Sequence, residues 1–226
     1  MKADTEEYSN KRHPMPFTRI EVAVLSVIDG SLKVLLAKRS EAPYAGRWAL
    51  PGGVLRTDLD HTLDAAAQRV MHERLGIDLP FLEQLCAVGG PKRDPRADWA
   101  LSLVYRALVP IALVQASAGK RIEALEWRSV DEAMAGPLAF DHVDLVKLAV
   151  DKTRANVEGM AMPFGLLDER FTLGELQDIC EQVLSRPIDK SSFRRKLADR
   201  QLVEPISGAM RRGAFRPAQL YRLMQK

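Results

Sequence analysis

The chain has 226 residues, enough for one large domain or for a medium domain followed by a small one. Hydrophobic residues make up 46% of it and charged residues 28%, which is ordinary for a soluble globular protein, and the formal net charge is +3. No apolar run approaches the roughly 20 residues that a membrane-spanning helix needs, so the composition excludes an integral membrane protein of that kind.

The N-terminus and the cysteines indicate the cellular location of the protein. The first sixteen residues, MKADTEEYSNKRHPMP, are polar and carry acidic residues before basic ones, which is wrong for a secretory signal. Cys86 and Cys180 lie far apart without metal-ligand spacing, so we expect neither a disulfide framework nor a zinc site. We therefore expect a cytoplasmic protein.

The net charge is unevenly distributed along the chain. From Arg186 to Lys226 there are eleven Lys/Arg and three Asp/Glu, a balance of +8, which leaves −5 for the 185 residues before them. This asymmetry indicates either an acidic or neutral body with a basic module for a polyanion, or a solvated basic tail. Charge alone does not separate these two interpretations.

The first predicted elements are a β-hairpin and a helix. Residues 19–28 and 32–40 are rich in Val and Leu and flank an Asp-Gly pair, which is a favoured hairpin turn. A loop rich in Pro and Gly follows. From Asp60 to Leu75 the apolar residues recur with helical spacing, and Gly76 suits the position just past a helix C-terminus.

Three further strands and two helices complete a first domain. The strands are predicted at Leu82–Val88, Trp99–Val109 and Ile122–Arg128, and the helices at Val130–Ala135 and His142–Ala155. Strands and helices mixed around one core predict an α/β domain over residues 18–155, preceded by an N-terminal arm of residues 1–17.

The pattern breaks in residues 156–170, which are predicted to link two domains. Thr172 and Glu175 then form a capping box for a helix that ends near Ser185. A second helix, DKSSFRRKLADR, and two strand-like segments, QLVEPI and AQLYRLM, complete residues 171–226. Two helices joined by a short turn and followed by a β-ribbon predict a winged helix-turn-helix.

The segment RVMHERLGI, at the end of the first predicted helix, contains a recognisable motif. It resembles the signature of the Nudix hydrolases, which is a glycine, five residues, a glutamate, seven residues, and then Arg-Glu-apolar-any-Glu-Glu-any-Gly-apolar. The positions that fit this frame are Gly53, Arg69, Met71, Glu73, Gly76 and Ile77. The resemblance covers about the first 150 residues and implies a Nudix-like α/β/α sandwich, followed here by the predicted winged helix-turn-helix.

The motif departs from the family pattern at the positions that matter for catalysis. The spacing from Gly53 to Arg69 is two residues longer, and His61 stands where the first glutamate is expected. Val70 and Arg74 replace two further glutamates. We therefore expect a degenerate Nudix box without catalytic residues.

The same expectation follows from metal chemistry. Residues 70, 73 and 74 share one helix face because they are spaced i, i+3 and i+4. Mg²⁺ prefers several oxygen ligands, but this face offers a valine, one glutamate and an arginine that repels a metal. Asp58 and Asp60 on the preceding loop would complete only a poor cluster, so no metal site is predicted. Arg74 either contacts a phosphate directly or is a surface arginine near Glu73.

Further segments, in order along the whole chain, resemble one subgroup of that family. They are KRSEAPYAGRWALPGG, LEQLCAVGG, GGPKRDPRADWALSLVY, PLAFDH, FTLGELQ, SFRRKL and AQLYRL. The subgroup comprises the Nudix-related transcriptional regulators of NAD metabolism, called NrtR. The resemblance implies that ADP-ribose, or a related product of NAD turnover, is the effector, and it implies no cofactor.

ADP-ribose requires groups for two phosphates, two ribose diols and one purine. The residues assigned to these roles are Arg39, Arg93 and Arg96 for the phosphates, Asp94 for ribose hydroxyls, and Tyr44, Trp48 or Trp99 for adenine. Each assignment has an alternative. Trp48 and Trp99 could instead pack in the core, and Tyr44 could be an ordinary loop aromatic. The Arg93–Arg96 loop could be a solvated turn. Phe140-Asp141-His142 is interpreted as a helix N-cap, without a catalytic role for His142.

The second domain has the residues expected of a DNA-reading module. In DKSSFRRKLADR, Phe193 and Leu197 are four residues apart and are expected to face a small core. The residues assigned to DNA contact are Lys190, Ser191, Ser192, Arg194 and Arg195 on the recognition helix and Arg211, Arg212 and Arg216 on the wing. A merely solvated helix would explain Arg194 and Arg195, but it does not explain why the wing is also basic.

The sequence therefore predicts a repressor of genes for NAD synthesis or salvage, which binds a palindromic double-stranded operator as a homodimer. ADP-ribose is expected to favour a dimer arrangement with the wrong spacing for the operator. Two alternatives stay open. One is an active ADP-ribose or nucleoside-diphosphate pyrophosphatase whose C-terminal domain only aids dimerisation. The other is a regulator that responds to a sugar or its phosphate.

Overall fold

The computed structural model describes residues 15–79, 81–211 and 217–224. A seven-stranded sheet consists of β1 (Phe17–Ile28), β2 (Ser31–Arg39), β3 (Trp48–Ala49), β4 (Gly52–Val54), β5 (Glu83–Pro91), β6 (Trp99–Leu108) and β7 (Ile122–Ser129). The helices are α1 (Leu63–Leu75), α2 (Val130–Ala135), α3 (His142–Glu158), α4 (Leu173–Leu184) and α5 (Lys190–Asp199), and a C-terminal ribbon pairs β8 (Val203–Arg211) with β9 (Ala218–Leu223). Within these ranges, none of the helices has the length and apolar character that crossing a bilayer requires.

The strand β1 lies at the middle of the large sheet. It pairs antiparallel with β2 and β4 and parallel with β6, so that Phe17 lies opposite Ala100. β2 also pairs with β3 and β7, while β5 pairs with β6. The predicted hairpin between β1 and β2 is confirmed. Asp29 and Gly30 both have positive φ angles, 51° and 76°, which is the turn geometry that suits the twist of the two strands.

Residues that alternate along β1 supply two apolar layers. Val22 and Val24 pack with the buried face of α1, whereas Ala23 and Leu25 pack with α3 on the opposite side of the sheet. All four side chains are fully buried. Helices therefore cover both faces of the sheet, which confirms the predicted α/β/α sandwich.

The C-terminal part has the predicted winged helix-turn-helix architecture, with α4, α5 and the β8–β9 ribbon in order. Its capping box is present: Thr172 Oγ1 accepts a hydrogen bond from the N–H of Glu175, and the Glu175 carboxylate accepts one from the N–H of Thr172. Leu176 and Cys180 of α4 belong to the same buried cluster as Leu145 of α3. One apolar core is thus continuous across both parts of the chain.

The predicted linker, residues 156–170, is itself packed. α3 continues to Glu158, three residues beyond the predicted end at Ala155, and Met162 and Leu166 are buried after it. Apolar side chains at these positions hold the segment against both parts of the molecule. The domain boundaries on either side of it stay predictions.

The start of α1 differs from the prediction. The helix begins at Leu63 and not at Asp60, because Thr62 has extended backbone angles and its Oγ1 accepts a hydrogen bond of 3.0 Å from the N–H of Ala65. Gly76 ends the helix in a left-handed conformation, with φ 67°, as predicted.

Candidate functional site

The face of α1 that would bind a metal in a hydrolase is apolar and basic. Val70 is 1% exposed and packs on Gly53 so closely that a Cβ atom added to Gly53 would lie 2.8 Å from Val70 Cγ2. Glu73 pairs with Arg69 at 3.3 Å. Among the residues that the structure describes, no three His, Cys, Asp or Glu side chains are grouped so that they could hold a metal ion. The residues present therefore do not fit Mg²⁺, which needs several oxygen ligands.

The carboxylates on the loop before α1 are engaged by arginines. The buried carboxylate of Asp60 accepts hydrogen bonds of 2.6 and 2.7 Å from Arg69, which hold the pKa of Asp60 below its usual value. Asp58 pairs with Arg56 at 2.9 Å. His61, at the position of the first Nudix glutamate, is exposed. This loop is thus stabilised by ion pairs and does not extend a cluster of metal ligands.

Arg74 is held by the backbone on two sides. Its Nε donates to the carbonyl oxygen of Gly52 at 3.0 Å, and its Nη1 donates to that of Lys120 at 2.5 Å. Burial lowers the pKa of Arg74, and the nearby guanidinium groups of Arg121 and Arg19 lower it further. Arg74 therefore places a positive charge close to β4, where a hydrolase would have a carboxylate.

Arg74 lines a partly open cavity at the ends of β1, β2 and β4. The basic side chains around this cavity are Arg19, Lys38, Arg39, Arg74, Arg96 and Arg121. One acidic side chain, Glu41, also lines it and pairs with Arg121 at 3.1 Å, and the wall is completed by Ala37, Ala42, Ile122 and residues 49–52. Burial, Arg19 and Arg96 all lower the pKa of Arg39, which reflects how closely the guanidinium groups approach one another. Such a concentration of cationic donors favours an anion with several oxygen atoms.

Three of the predicted ligand residues, Arg39, Arg74 and Arg96, line this cavity. Arg39 Nε donates to the carbonyl oxygen of Pro43 at 2.7 Å, and Arg96 Nε donates to Asp94 Oδ1 at 2.8 Å. These contacts fix the guanidinium groups before any ligand binds. Asp94 is 1% exposed and engaged by Arg96, so it positions Arg96 and is not presented to a ribose hydroxyl.

The structure does not bring Arg93 to the cavity as a phosphate ligand. Its side chain is 9% exposed, and its guanidinium binds both carboxylate oxygens of Asp141 at 2.8 Å and also donates to Ser102 Oγ. The residue was assigned to the ligand because it lies in a short run of charges. Its partner Asp141, 48 residues away in the chain, holds it against the start of α3.

The predicted stacking residues occupy three different surroundings. Trp48 packs against the core with the Arg128 guanidinium 5.1 Å from its ring, which agrees with the core-packing alternative. Trp99 is 46% exposed and lines a separate groove with Met15. Tyr44, 41% exposed, does not line the cavity, but its ring lies 4.7 Å from that of Phe140, which the cavity arginines approach. Tyr44 is therefore the one of these three placed to approach a purine in the cavity.

Sequence reasoning missed Arg19, Arg121 and Phe140. Arg19 belongs to an apolar strand, yet its buried side chain lines the cavity and pairs with Glu21 at 2.7 Å. Two charges in an otherwise apolar strand were the available signal. Arg121 precedes β7, and Phe140 precedes α3, so only the fold shows that they meet β1 and β2.

His142 is buried and has a structural role. Its Nδ1 accepts a hydrogen bond of 2.9 Å from the N–H of Leu50, and its Nε2 lies 3.8 Å from Glu21 Oε2. Burial lowers the pKa of His142, so the imidazole is neutral near pH 7. The neutral ring supports the backbone of the cavity wall.

The second candidate surface is the exposed face of α5. Phe193 and Leu197 are buried, as predicted from their spacing. The side chains assigned to DNA on this helix are Lys190, Ser191, Arg194 and Arg195, which are exposed, and Ser192, which is half-buried. Asp189 caps the helix by accepting a hydrogen bond from the N–H of Ser192 at 2.8 Å. The helix thus presents a basic first turn and a half, as a recognition helix requires.

The wing residue Arg211 has partners within the chain. Its guanidinium pairs with Glu175 at 3.0 Å and donates to the carbonyl oxygen of Arg170 at 2.8 Å. This arrangement ties the base of the wing to the start of α4. Arg212 and Arg216, also assigned to DNA, lie outside the described residues.

Comparison with known proteins gives matches over both parts of the chain. Residues 17–149 match the NUDIX domain family, and residues 163–223 match the family described as the NrtR DNA-binding winged helix domain. The chain is 38% identical over 216 residues to the "ADPR responsive transcriptional repressor NtrR" of Acinetobacter baylyi, which covers 96% of this chain and 85% of that protein.

Two solved structures from Shewanella oneidensis are also similar. NrtR complexed with a 27mer DNA superposes with a TM-score of 0.79 and 33% identity, over 92% of this chain and 93% of that one. The NUDIX domain of NrtR complexed with ADP ribose superposes with a TM-score of 0.59 and 29% identity, over 66% of this chain and 97% of that one.

Proposed function

Because the chain belongs to the NrtR family of Nudix-related transcriptional regulators, we propose that it represses genes of NAD synthesis or salvage and that ADP-ribose controls its binding to DNA. The Acinetobacter relative is a repressor that responds to ADP-ribose, and the Shewanella protein has been seen with DNA and, as its NUDIX domain, with ADP ribose. We also propose that the protein, as a DNA-binding regulator, acts in the cytoplasm.

The observation that carries the proposal is the cavity walled by arginines in a helix-sheet frame that is otherwise typical of a hydrolase. Arg39, Arg74 and Arg96 are anchored by their own chain, so their guanidinium groups are held in place for the diphosphate. Arg19 is a further donor in the cavity wall. Charge-assisted hydrogen bonds from preorganised guanidinium groups are the strong, directional contacts that phosphates need.

In this proposal the protein binds ADP-ribose without cleaving it. Val70 is buried against Gly53, and Arg74 is fixed to two carbonyl oxygens. Glu73, the one carboxylate on this face of α1, is paired with Arg69, so the face supplies neither a metal cluster nor an unpaired carboxylate as a general base. The diphosphate meets arginine side chains, and Glu41, the carboxylate among the described residues that line the cavity, is engaged by Arg121. Neither a metal nor another cofactor is required for this binding.

The DNA-binding unit is proposed to be a homodimer on a palindromic double-stranded operator. One winged module presents a single short recognition helix, α5, and therefore contacts few base pairs. Two modules related by a two-fold axis read two half-sites, and a ligand that changes their separation changes the affinity for the whole site. The sign proposed here is release of the operator by ADP-ribose.

The test is a titration of ADP-ribose into a complex of the protein with its operator, a duplex selected from a random-sequence library by binding. We expect the apparent operator affinity to fall as ADP-ribose saturates the protein. Unchanged affinity at saturation refutes the proposed control. Incubation with ADP-ribose and Mg²⁺ tests the enzymatic alternative, which AMP release at ordinary turnover would favour. Thermal-shift measurements with sugar phosphates test the alternative that a sugar or its phosphate is the effector.

A further inference from the structure

Phe140 lies at the junction between the arginine-lined cavity and the start of α3. Its φ angle is +54°, a left-handed conformation that bulky residues rarely adopt, and neighbouring Tyr44 also has a positive φ angle, 61°. The guanidinium carbons of Arg39, Arg19 and Arg96 lie 5.1, 5.8 and 5.9 Å from the centre of the Phe140 ring. The ring of Phe140 is thus surrounded by the same cations that the cavity offers to an anion.

The N-terminal end of α3 is fixed to this cavity. His142, the first residue of the helix, accepts the hydrogen bond from the N–H of Leu50, which lines the cavity. Asp141 binds the guanidinium of Arg93 through both carboxylate oxygens. A change in the position of Phe140 therefore moves the first turn of α3 or strains these two contacts.

The other end of α3 is fixed to the DNA-binding module. Arg154 Nε donates to the carbonyl oxygen of Val183 at 3.0 Å, in the last turn of α4. The carbonyl oxygen of Gly159 accepts a hydrogen bond of 2.9 Å from Arg200 at the end of α5. Glu158 and Arg186 form an exposed ion pair at 2.9 Å. One 17-residue helix, about 25 Å long, thus contacts both candidate functional surfaces.

We propose that Phe140 is a positioning residue that senses the occupied cavity through Arg39 and Arg96, and that α3 transmits this state to α4 through Arg154. The inference rests on the proposed function, because it explains how ADP-ribose in the cavity changes the binding of DNA. Phosphate oxygens compete with the Phe140 ring for the guanidinium groups, since a full negative charge attracts them more strongly than an aromatic face. The Phe140 ring and the first turn of α3 then move to a second position.

The proposal separates ligand binding from ligand response. Arg154 lies at the far end of α3 and is absent from the cavity wall, so its loss should leave the affinity of the DNA-free protein for ADP-ribose unchanged. Coupling between two sites is reciprocal and commonly amounts to about 5- to 150-fold in affinity. A variant without the contact between Arg154 and Val183 should still bind ADP-ribose and DNA, but ADP-ribose should no longer change its affinity for DNA by this factor.

The experiment uses the full chain, calorimetry with ADP-ribose, and fluorescence anisotropy with the selected operator duplex in the presence and absence of ADP-ribose. Arg154→Ala is expected to bind ADP-ribose within about threefold of the unmodified protein, while the ligand-induced loss of operator affinity shrinks at least fivefold. Lys147→Ala, an exposed change on the same helix, is the matched control and should retain the full response.

A second pair of variants addresses the ring itself. Phe140→Leu removes the aromatic face and is expected to lose the response, whereas Phe140→Tyr keeps the face and should restore it. The proposal is overturned if Arg154→Ala and Phe140→Leu respond like the unmodified chain, or if Phe140→Leu abolishes ADP-ribose binding, because Phe140 would then be part of the ligand site. An unmodified protein that binds ADP-ribose without any change in operator affinity would instead contradict the proposed function.

Discussion

Arg74 Nε lies 3.0 Å from the carbonyl oxygen of Gly52, so a side chain of α1 is bonded directly to the strand that precedes the helix. A metal-binding carboxylate at this position would be repelled by that carbonyl oxygen. The guanidinium is attracted to it and remains charged at all pH values of interest. The cation in this part of the cavity therefore belongs to the protein itself.

The first prediction concerns metal dependence. Calorimetric titration with ADP-ribose should give the same affinity in EDTA and in Mg²⁺. Arg74→Ala should weaken binding by about 10- to 100-fold, because a charge-assisted hydrogen bond contributes about 1.5–3 kcal/mol. Arg56→Ala, on an exposed arginine that pairs only with Asp58 among its described partners, serves as the control. Binding that requires Mg²⁺ would contradict the fixed-cation interpretation.

The second prediction concerns the contact between Gly53 and Val70. Gly53→Ala should lower the free energy of unfolding by about 1–3 kcal/mol, because the new methyl group would overlap Val70 Cγ2. Adding Val70→Ala should remove the clash, so the double variant should be more stable than the sum of the two single changes implies. Urea denaturation of all four chains measures the coupling, and strict additivity would show that the two residues do not interact as described.

The third prediction distinguishes arginines that bind DNA from one that positions the wing. Arg194→Ala and Arg195→Ala should each weaken operator binding and reduce the slope of log affinity against log salt by about one, because each removes a phosphate or base contact. Arg211→Ala should weaken binding with an unchanged slope, since its guanidinium is engaged by Glu175. If Arg211→Ala also reduces the salt dependence of operator binding, Arg211 contacts DNA directly.

The fourth prediction concerns acid stability. The pKa of His142 is lowered by burial and by Arg19 and Arg93, against the opposing effect of Glu21 and Asp141. As the pH falls below about 6.5, the unfolded chain therefore binds a proton at this histidine that the folded chain does not bind. The contribution of His142 to the free energy of unfolding should be constant above that pH and should decrease below it.

The size of this effect is limited to one proton, or about 1.4 kcal/mol per pH unit. His142→Asn keeps an acceptor for the N–H of Leu50 without a titrating ring, and should show a smaller loss of stability between about pH 6.5 and 5. Asp60 contributes only at lower pH, because Arg69 lowers its pKa. Denaturant titrations at several pH values measure the free energy of unfolding. If it falls equally with pH in the unmodified protein and in His142→Asn, His142 is not the cause of the acid destabilisation.

Local patterns predicted the elements of this fold well. The Asp29-Gly30 turn, the capping box of Thr172 and Glu175, and the C-terminal Gly76 all depend on neighbours within a few residues, and all are present in the structure. The start of α1 was misplaced because acidic Asp60 and Thr62 both suit a helix N-terminus, and only the side-chain contacts select Thr62.

The cavity was less predictable, because its residues come together through the sheet. Arg19 and Arg121 belong to segments about a hundred residues apart, and no local pattern indicates that they share a wall. Arg93 was assigned to the ligand from its charged loop, yet its distant partner Asp141 decides its orientation. Charge in a loop shows that an ion pair or an anion site will form, and the topology determines which of the two it is.

The continuous core has a consequence for the whole molecule. Leu145 of α3 and Leu176 and Val183 of α4 lie in one buried cluster, so neither part can open without exposing the apolar surface of the other. Calorimetry should therefore record a single endotherm for the intact chain. For the same reason, a chimera that transplants the winged module onto an unrelated protein would have to bring along a replacement for α3.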